Sequence, residues 1–145
     1  MRYTISNVIN RPLAEVIETF KDTEGAKQWM QGLQRIEPLS GTPGEVGAKT
    51  NFHFLFRKRE MVIEETILEQ NFPKQIKFAY RSSMGYNEVE MVFEEESEHS
   101  TRQINHSYFE LKGFMKWISF LTKGMYKKQS LTYLNAFRDY CEEEK

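Results

Sequence analysis

Alternation of apolar and polar residues dominates the middle of this chain, and it constrains the fold more than any other feature of the sequence. Six segments show the pattern: residues 33–39, 50–56, 61–69, 76–81, 87–94 and 101–111. Alternation of this kind places successive side chains on opposite faces of a β-strand. Turns of hairpin length, such as Asn71-Phe72-Pro73-Lys74, separate the segments. Six consecutive strands joined in this way predict an antiparallel meander.

The segments on either side of the meander predict one more strand and three helices. Residues 3–9 alternate as a first strand, and two short helices are expected over residues 10–21 and 26–30. Residues 113–143 lack proline and carry apolar residues at helical spacing, but the apolar stripe shifts in phase near residues 124–129. We therefore expect a long C-terminal helix that bends or changes its packing partner there. No linker or repeat divides the chain, so residues 1–145 are expected to form a single α+β domain.

Composition and charge exclude several classes of function. The 145 residues carry a net charge of −1, so there is no basic excess to bind nucleic acid or anionic lipid. No apolar run approaches the ~18 residues of a membrane span, so membrane insertion is not expected. The single cysteine, Cys141, cannot form an internal disulfide, which favours a cytoplasmic location. The sequence leaves open whether the protein is a monomer or a dimer.

Five stretches of the sequence carry a resemblance to a known family. They are Trp29-Met30-Gln31-Gly32-Leu33, Ser40-Gly41 with Val46-Gly47-Ala48, residues 67–76, Ser100-Thr101-Arg102 and residues 134–142. They resemble the START-like SRPBCC superfamily, and within it the polyketide cyclase/dehydrase-like branch most closely. The resemblance implies the helix-grip fold, in which a curved antiparallel sheet in β-α-α-β6-α order wraps around a long C-terminal helix. It also implies a cavity between sheet and helix, and therefore a ligand-binding domain.

The concave face of such a sheet would be strongly apolar here, and it supplies most of the predicted ligand-binding residues. They are Phe52, Phe54, Phe56, Ile63, Ile67, Phe78, Tyr80, Val89, Met91, Phe93 and Phe109, with Ile76 on the same face. In the family layout the cavity mouth would lie between Trp29 and Met30 on one side and Phe114, Trp117, Ile118, Leu121 and Met125 on the other. Aromatic side chains are bulky enough to fill a small cavity, so a collapsed core is the alternative.

Three residues are candidates for acid–base chemistry, namely Glu65, Tyr80 and His106. Glu65 lies between Ile63 and Ile67 on the presumed inner face, where loss of water would raise its pKa. The alternatives are a carboxylate paired with a nearby Arg or Lys, or an inverted register. His106 would face inward only in one of the two registers open to residues 101–111. In the other register Gln103, Asn105 and Ser107 face inward, and Asn105 and Ser107 could then hydrogen-bond a ligand.

Motifs for metal or nucleotide chemistry are not found in the sequence. His53, His99 and His106 have no metal-ligand spacing with one another or with Cys141, so no metal site is expected. The glycine-rich segment at residues 41–47 lacks the Gly-Lys-Ser/Thr of a phosphate-binding loop and is interpreted as a turn. No cofactor is expected.

The function expected from these observations is non-catalytic binding of a small hydrophobic molecule, lipid- or polyketide-like, in an internal cavity. One alternative is a cofactor-independent cyclase or dehydratase that acts on a polyketide-like substrate. Another is a protein-interaction module, similar to the chaperone-regulating branch of the superfamily, which would require an exposed apolar patch.

Overall fold

A computed structural model of the protein describes residues 1–113, 116 and 119–143. The elements are β1 (Arg2–Ile9), α1 (Leu13–Lys21), α2 (Ala26–Trp29), β2 (Leu33–Ser40), β3 (Lys49–Phe56), β4 (Arg59–Asn71), β5 (Gln75–Ser82), β6 (Gly85–Ser97), β7 (Ser100–Leu111) and α3 (Ser119–Glu142). This order confirms the predicted α+β architecture of one strand, two short helices, six strands and a long helix. Phe114, Trp117 and Ile118, which were expected at the cavity mouth, lie outside the described residues.

The seven strands form a single antiparallel sheet in the order β1-β7-β6-β5-β4-β3-β2. Hairpins connect β2 to β7 in sequence, whereas β1 pairs with the last strand, with Ile5 opposite Asn105. Bulges interrupt the register in β2, in β4 between Ile67 and Glu69, and in β6 between Glu95 and Ser97. Because bulges bend a strand and increase its twist, they help the sheet to curve around α3.

The turn between β5 and β6 depends on glycine. Gly85 has a φ of +147°, and a Cβ atom built there would lie 2.2 Å from the carbonyl oxygen of Glu110 on β7. No side chain fits at that distance, so only glycine lets β6 begin this close to β7.

A polar network fastens α3 to the sheet. The buried Gln103 on β7 donates from its Nε2 to the Leu134 carbonyl oxygen at 3.0 Å and to Asn7 Oδ1 at 2.7 Å. Asn7 on β1 donates in turn to the same carbonyl oxygen at 3.2 Å, and the hydroxyl groups of Tyr3 and Ser130 are 2.5 Å apart. These bonds settle the register of β7: Thr101, Gln103 and Ser107 are buried on the inner face.

The core cluster that contains Phe78, Phe93 and Phe137 fills one end of the space between sheet and helix, and two smaller clusters, around Tyr126 and around Phe54, lie beside the space that stays open. At that end α1 and the C-terminal part of α3 cover the sheet, and Phe20 contacts the rings of Phe72, Phe78, Phe93 and Phe137. At the other end residues 121–125 of α3 are exposed or half-buried, with Met125 59% exposed, and Tyr126 is buried. The helix is continuous through residues 124–129. The protein is therefore packed below α1 and less tightly packed toward the start of α3.

None of the helices in the described part of the chain is both long and apolar enough to cross a membrane.

Candidate functional site

A cavity of about 340 Å³ lies between the concave face of the sheet and α3, at the end that the core leaves open. Eight aromatic residues line it: Phe52, Phe54, Phe56, Tyr80, Tyr86, Phe109, Tyr126 and Tyr133. Five aliphatic or methionine side chains, Met30, Met61, Ile63, Met84 and Leu111, make the wall mostly apolar. The volume is within the range of small-molecule sites, which are typically concave and mostly apolar.

Eight of the predicted ligand-binding residues line this cavity. They are Met30, Phe52, Phe54, Phe56, Ile63, Glu65, Tyr80 and Phe109. Those from β3, β4 and β5 share the face that alternation predicted for each strand, and the strands pair with Phe52 opposite Ile63 and Glu65 opposite Tyr80.

Other predicted lining residues lie in the packed core instead. Ile67, Phe78 and Phe93 are buried in the cluster below α1, and Trp29 and Met91 pack against it. Val89 is buried on β6 away from the wall. The prediction that these six residues line the cavity is wrong, because α1 and the C-terminal part of α3 cover the concave side of the sheet at their positions.

The predicted polar residues of β7 do not reach the cavity. Asn105 and Ser107 share the inner face with Gln103, but neither is part of the cavity wall. His106 lies on the outer face of the sheet, where its Nδ1 is 2.9 Å from Thr4 Oγ1 and the side chain is exposed. This position removes His106 from the candidate acid–base groups.

The prediction for the far side of the cavity mouth is also wrong where the structure describes it. Leu121 and Met125 are 72% and 59% exposed and do not belong to the wall. Ile118 lies outside the described residues. The helix contributes a different face, made of Tyr126, Gln129, Ser130 and Tyr133. Their spacing of three, four and seven residues is the signal that could have identified this face from the sequence.

Further wall residues lie around the β5–β6 turn. Ser82, Met84 and Tyr86 were not predicted there, nor was Leu111 at the end of β7, whereas Asn87 alternates with Val89 on the predicted inner face. Ser82 continues the face of Tyr80 two residues further along β5, so strict alternation could have found it.

Glu65 and Tyr80 form a hydrogen-bonded pair inside the cavity. They are directly opposite in the β4–β5 register, and Tyr80 Oη donates to Glu65 Oε2 at 2.8 Å. Loss of water raises the pKa of Glu65 to about 7, although the bond from Tyr80 lowers it in part. Burial, and then the adjacent Glu65 charge, raise the pKa of Tyr80 well above its ordinary value. Glu65 can therefore exchange a proton near neutral pH while Tyr80 stays neutral.

No basic side chain belongs to the described wall, in which Glu65 is the only carboxyl group. Nor do the described residues contain a group of three or more His, Cys, Asp or Glu side chains that could hold a metal ion. Tyr126 Oη is buried and, within the same part of the chain, has no hydrogen-bond partner. The site is thus a mostly apolar cavity, rich in aromatic rings, with one acid–base pair.

No protein-family model and no curated protein sequence matches the chain. Among solved structures, TTHA0849 from Thermus thermophilus is 18% identical, with a TM-score of 0.73 over 97% of each chain. The Zhui aromatase/cyclase from Streptomyces sp. R1128 is 12% identical, with a TM-score of 0.79 over 98% of this chain and 93% of that one. Ara h 8.0201 is 11% identical, with a TM-score of 0.78 over 97% of each chain. At these identities the likeness establishes the fold alone, and the chain has the helix-grip fold.

Proposed function

We propose that this protein binds a small hydrophobic molecule, lipid- or polyketide-like, in the cavity between the sheet and α3, without transforming it. The observation that carries the proposal is the unfilled volume of about 340 Å³ with a mostly apolar wall that includes eight aromatic residues. Interiors are normally packed to the density of organic crystals, so a cavity of this size lacks contacts that a ligand would supply.

The distribution of the core supports binding over collapse. Phe20, Phe78, Phe93 and Phe137 pack together below α1, so large side chains fill the concave side where helices cover it. At the other end Phe52, Phe56 and Phe109 remain half-buried, because they face the cavity. A ligand with an apolar body would bury these rings.

The proposal is tested by native mass spectrometry of the purified protein, compared with its denatured mass. A mass excess that is lost on denaturation is expected, and extraction would identify the bound molecule. Ile63→Trp places a larger side chain in the cavity and should abolish the excess. Val62→Trp is the matched control, because Val62 is the adjacent residue of β4 and is 44% exposed on the other face.

Circular dichroism would establish that both variants fold, and Ser82→Phe provides a second way to fill the cavity. An excess that survives in both filled variants would contradict binding at this site. If the purified protein carries no excess, thermal-shift measurements with uncharged aromatic polyketides follow. An absence of stabilisation by any of them would also contradict the proposal.

A second candidate function rests on the Glu65–Tyr80 pair. A carboxyl group with a pKa of about 7 is suited to general acid–base catalysis at neutral pH. In this candidate, the Glu65 carboxylate removes a proton from the carbon next to a ketone of a polyketide-like substrate. Tyr80 Oη, which already contacts Glu65, orients the carboxylate.

Hydrogen–deuterium exchange of a bicyclic aromatic ketone in heavy water tests this candidate without knowledge of the natural substrate. Catalysed exchange at the carbon next to the carbonyl is expected for the wild type and should be lost in Glu65→Gln. Glu64→Gln is the matched control, since Glu64 is the adjacent residue and lies 3.6 Å from Lys49 Nζ outside the cavity. Exchange no faster than in buffer would restrict the protein to binding.

A further inference from the structure

We propose that the cavity selects hydrophobic amines, that is, ligands with an apolar body and a cationic nitrogen, and excludes carboxylates such as fatty acids. The inference rests on the proposed function, because it specifies the chemical class of the ligand in the same cavity. Three features of the wall carry it: its charge, its aromatic rings and a carboxyl oxygen without a partner.

The charge of the wall has one sign. Among the described residues of the wall, Glu65 is the only one with a carboxyl group, and none is Lys, Arg or His. A carboxylate ligand would enter an apolar space without a cation to pair with, and it would lie near a second carboxyl group. Burial of an unpaired ion is strongly unfavourable, and two nearby carboxylates repel each other. A cation would instead find its counter-ion already in place.

The aromatic rings favour the same sign. Tyr80 lies directly opposite Glu65 on β5, and Phe52 is diagonal to Glu65 across the β3–β4 pair. The face of an aromatic ring carries negative charge density and attracts cations, which is how aromatic cages recognise ammonium groups. A carboxylate gains nothing comparable from the ring faces. An ammonium group paired with Glu65 and in contact with the face of either ring would therefore gain a further attraction.

Glu65 has an oxygen available for a ligand. Tyr80 Oη donates to Oε2, and within the described residues no hydrogen bond or ion pair engages Oε1. An ammonium group at the cavity centre can donate to Oε1 while Tyr80 holds Oε2. Because a charge-assisted bond is stronger than a neutral one, an amine should bind better than an alcohol of the same shape.

The preference should depend on pH in a way that a merely structural role for Glu65 would not produce. The titratable groups of the wall besides Glu65 are Tyr80 on β5, Tyr86 on β6, and Tyr126 and Tyr133 on α3. All four tyrosines have pKa values raised by burial, so they remain neutral near pH 7. Glu65 alone changes charge there, and its ionised form is the one that pairs with an amine. Amine affinity should therefore increase about tenfold between about pH 6 and pH 8.

The test is calorimetric titration with three ligands that share one apolar body: naphthylethylamine, naphthylethanol and naphthylacetate. At about pH 8 the amine should bind about tenfold more tightly than the alcohol, and the carboxylate at least about tenfold more weakly. Glu65→Gln should bring all three within about threefold of one another, because it removes the charge and keeps the shape. Glu64→Gln, which removes a charge outside the cavity, should leave the order unchanged.

Each outcome bears on one of the two proposals. Equal affinities for amine and alcohol, or tight binding of the carboxylate, would overturn the amine preference and leave the binding function intact. A preference that persists in Glu65→Gln would also overturn it. Failure of all three ligands to bind the wild type would contradict the binding function itself, and the amine preference with it.

Discussion

Replacement of Glu65 by Gln is expected to stabilise the unliganded protein at neutral and higher pH. The folded state raises the pKa of this carboxyl group from its ordinary value of 4.5 to about 7. Between these values the folded protein still holds a proton that the unfolded chain has released. The free energy of unfolding of the wild type therefore decreases as pH rises through this window and becomes constant above it. Glutamine has the same shape but does not titrate, so the variant lacks this loss.

The displacement of the pKa sets the size of the effect. If the whole pKa displacement acts on folding, ionisation of Glu65 lowers the free energy of unfolding by about 3 kcal/mol at pH values above about 7. That figure is a ceiling, because Glu65 faces a cavity and is only half-buried. We expect the variant to match the wild type near pH 4.5, and to exceed it by about 1 to 3 kcal/mol at pH 8.

Urea unfolding followed by tryptophan fluorescence measures the difference, with both proteins compared at about pH 5, 6, 7 and 8. The difference between variant and wild type cancels the titration of groups that the two proteins share. Glu64→Gln removes a carboxylate from the adjacent position, near Lys49, and controls for the general loss of one negative charge. A Glu65→Gln difference that stays constant from about pH 5 to 8 would refute the placement of a desolvated carboxyl group in the cavity.

Three further predictions concern the pair in the cavity and the packing around it. Tyr80→Phe removes a hydrogen bond that lowers the pKa of Glu65, so carbon NMR titration should show a higher Glu65 pKa in the variant. An unchanged or lower Glu65 pKa would argue against this hydrogen bond. Phe137→Ala should reduce the free energy of unfolding in urea by about 3 to 5 kcal/mol, because this ring is 3% exposed in the packed end of the core. A cost below about 1 kcal/mol would mean that this end is loosely packed. Thr101→Val should reduce the free energy of unfolding by about 1 to 3 kcal/mol, because the buried Thr101 hydroxyl donates to the Arg11 carbonyl oxygen at 2.9 Å. Thr101→Ser keeps the hydroxyl and should reduce the free energy of unfolding by less.

The sequence predicted the order of the elements because alternation and helical spacing are local properties. It could not settle the register of β7, where polar and apolar residues occur on both faces. Gln103 faces inward because its amide reaches Asn7 on β1 and a carbonyl oxygen of α3. Those partners are distant in sequence, so alternation within β7 could not reveal them. The register of β7 is therefore set by tertiary hydrogen bonds and not by the local pattern of polar and apolar residues.

The sequence predicted an apolar cavity between sheet and helix, but only some of the residues that line it. The aromatic face of β3 and the inward orientation of Glu65 and Tyr80 follow from alternation, whereas the pairing of these two residues comes from the β4–β5 register. The division of the concave face between core and cavity depends on where α1 and α3 cover it, which no single strand encodes. The contribution of α3 was missed because Gln129 and Ser130 are polar and Tyr126 and Tyr133 flank them. This mixed face has too little apolar character to stand out as a buried stripe.

The pairing of β1 with β7 constrains when the protein can complete its fold. Thr4 contacts His106, a residue 102 positions later, whereas every other neighbouring pair of strands is joined by a hairpin or a short loop. On the ribosome, β1 emerges before the meander but has no strand to pair with until β7 has been made. The hairpins of β2 to β7 can form from local contacts. β1 can pair only after β7 has been made, and closing the long loop between these two strands carries an entropic cost. α3 emerges after β7, and it is hydrogen-bonded to Tyr3 and Asn7 on β1 as well as to Gln103 on β7. Completion of β1 and closure of the cavity are therefore expected to be late, coupled events in folding.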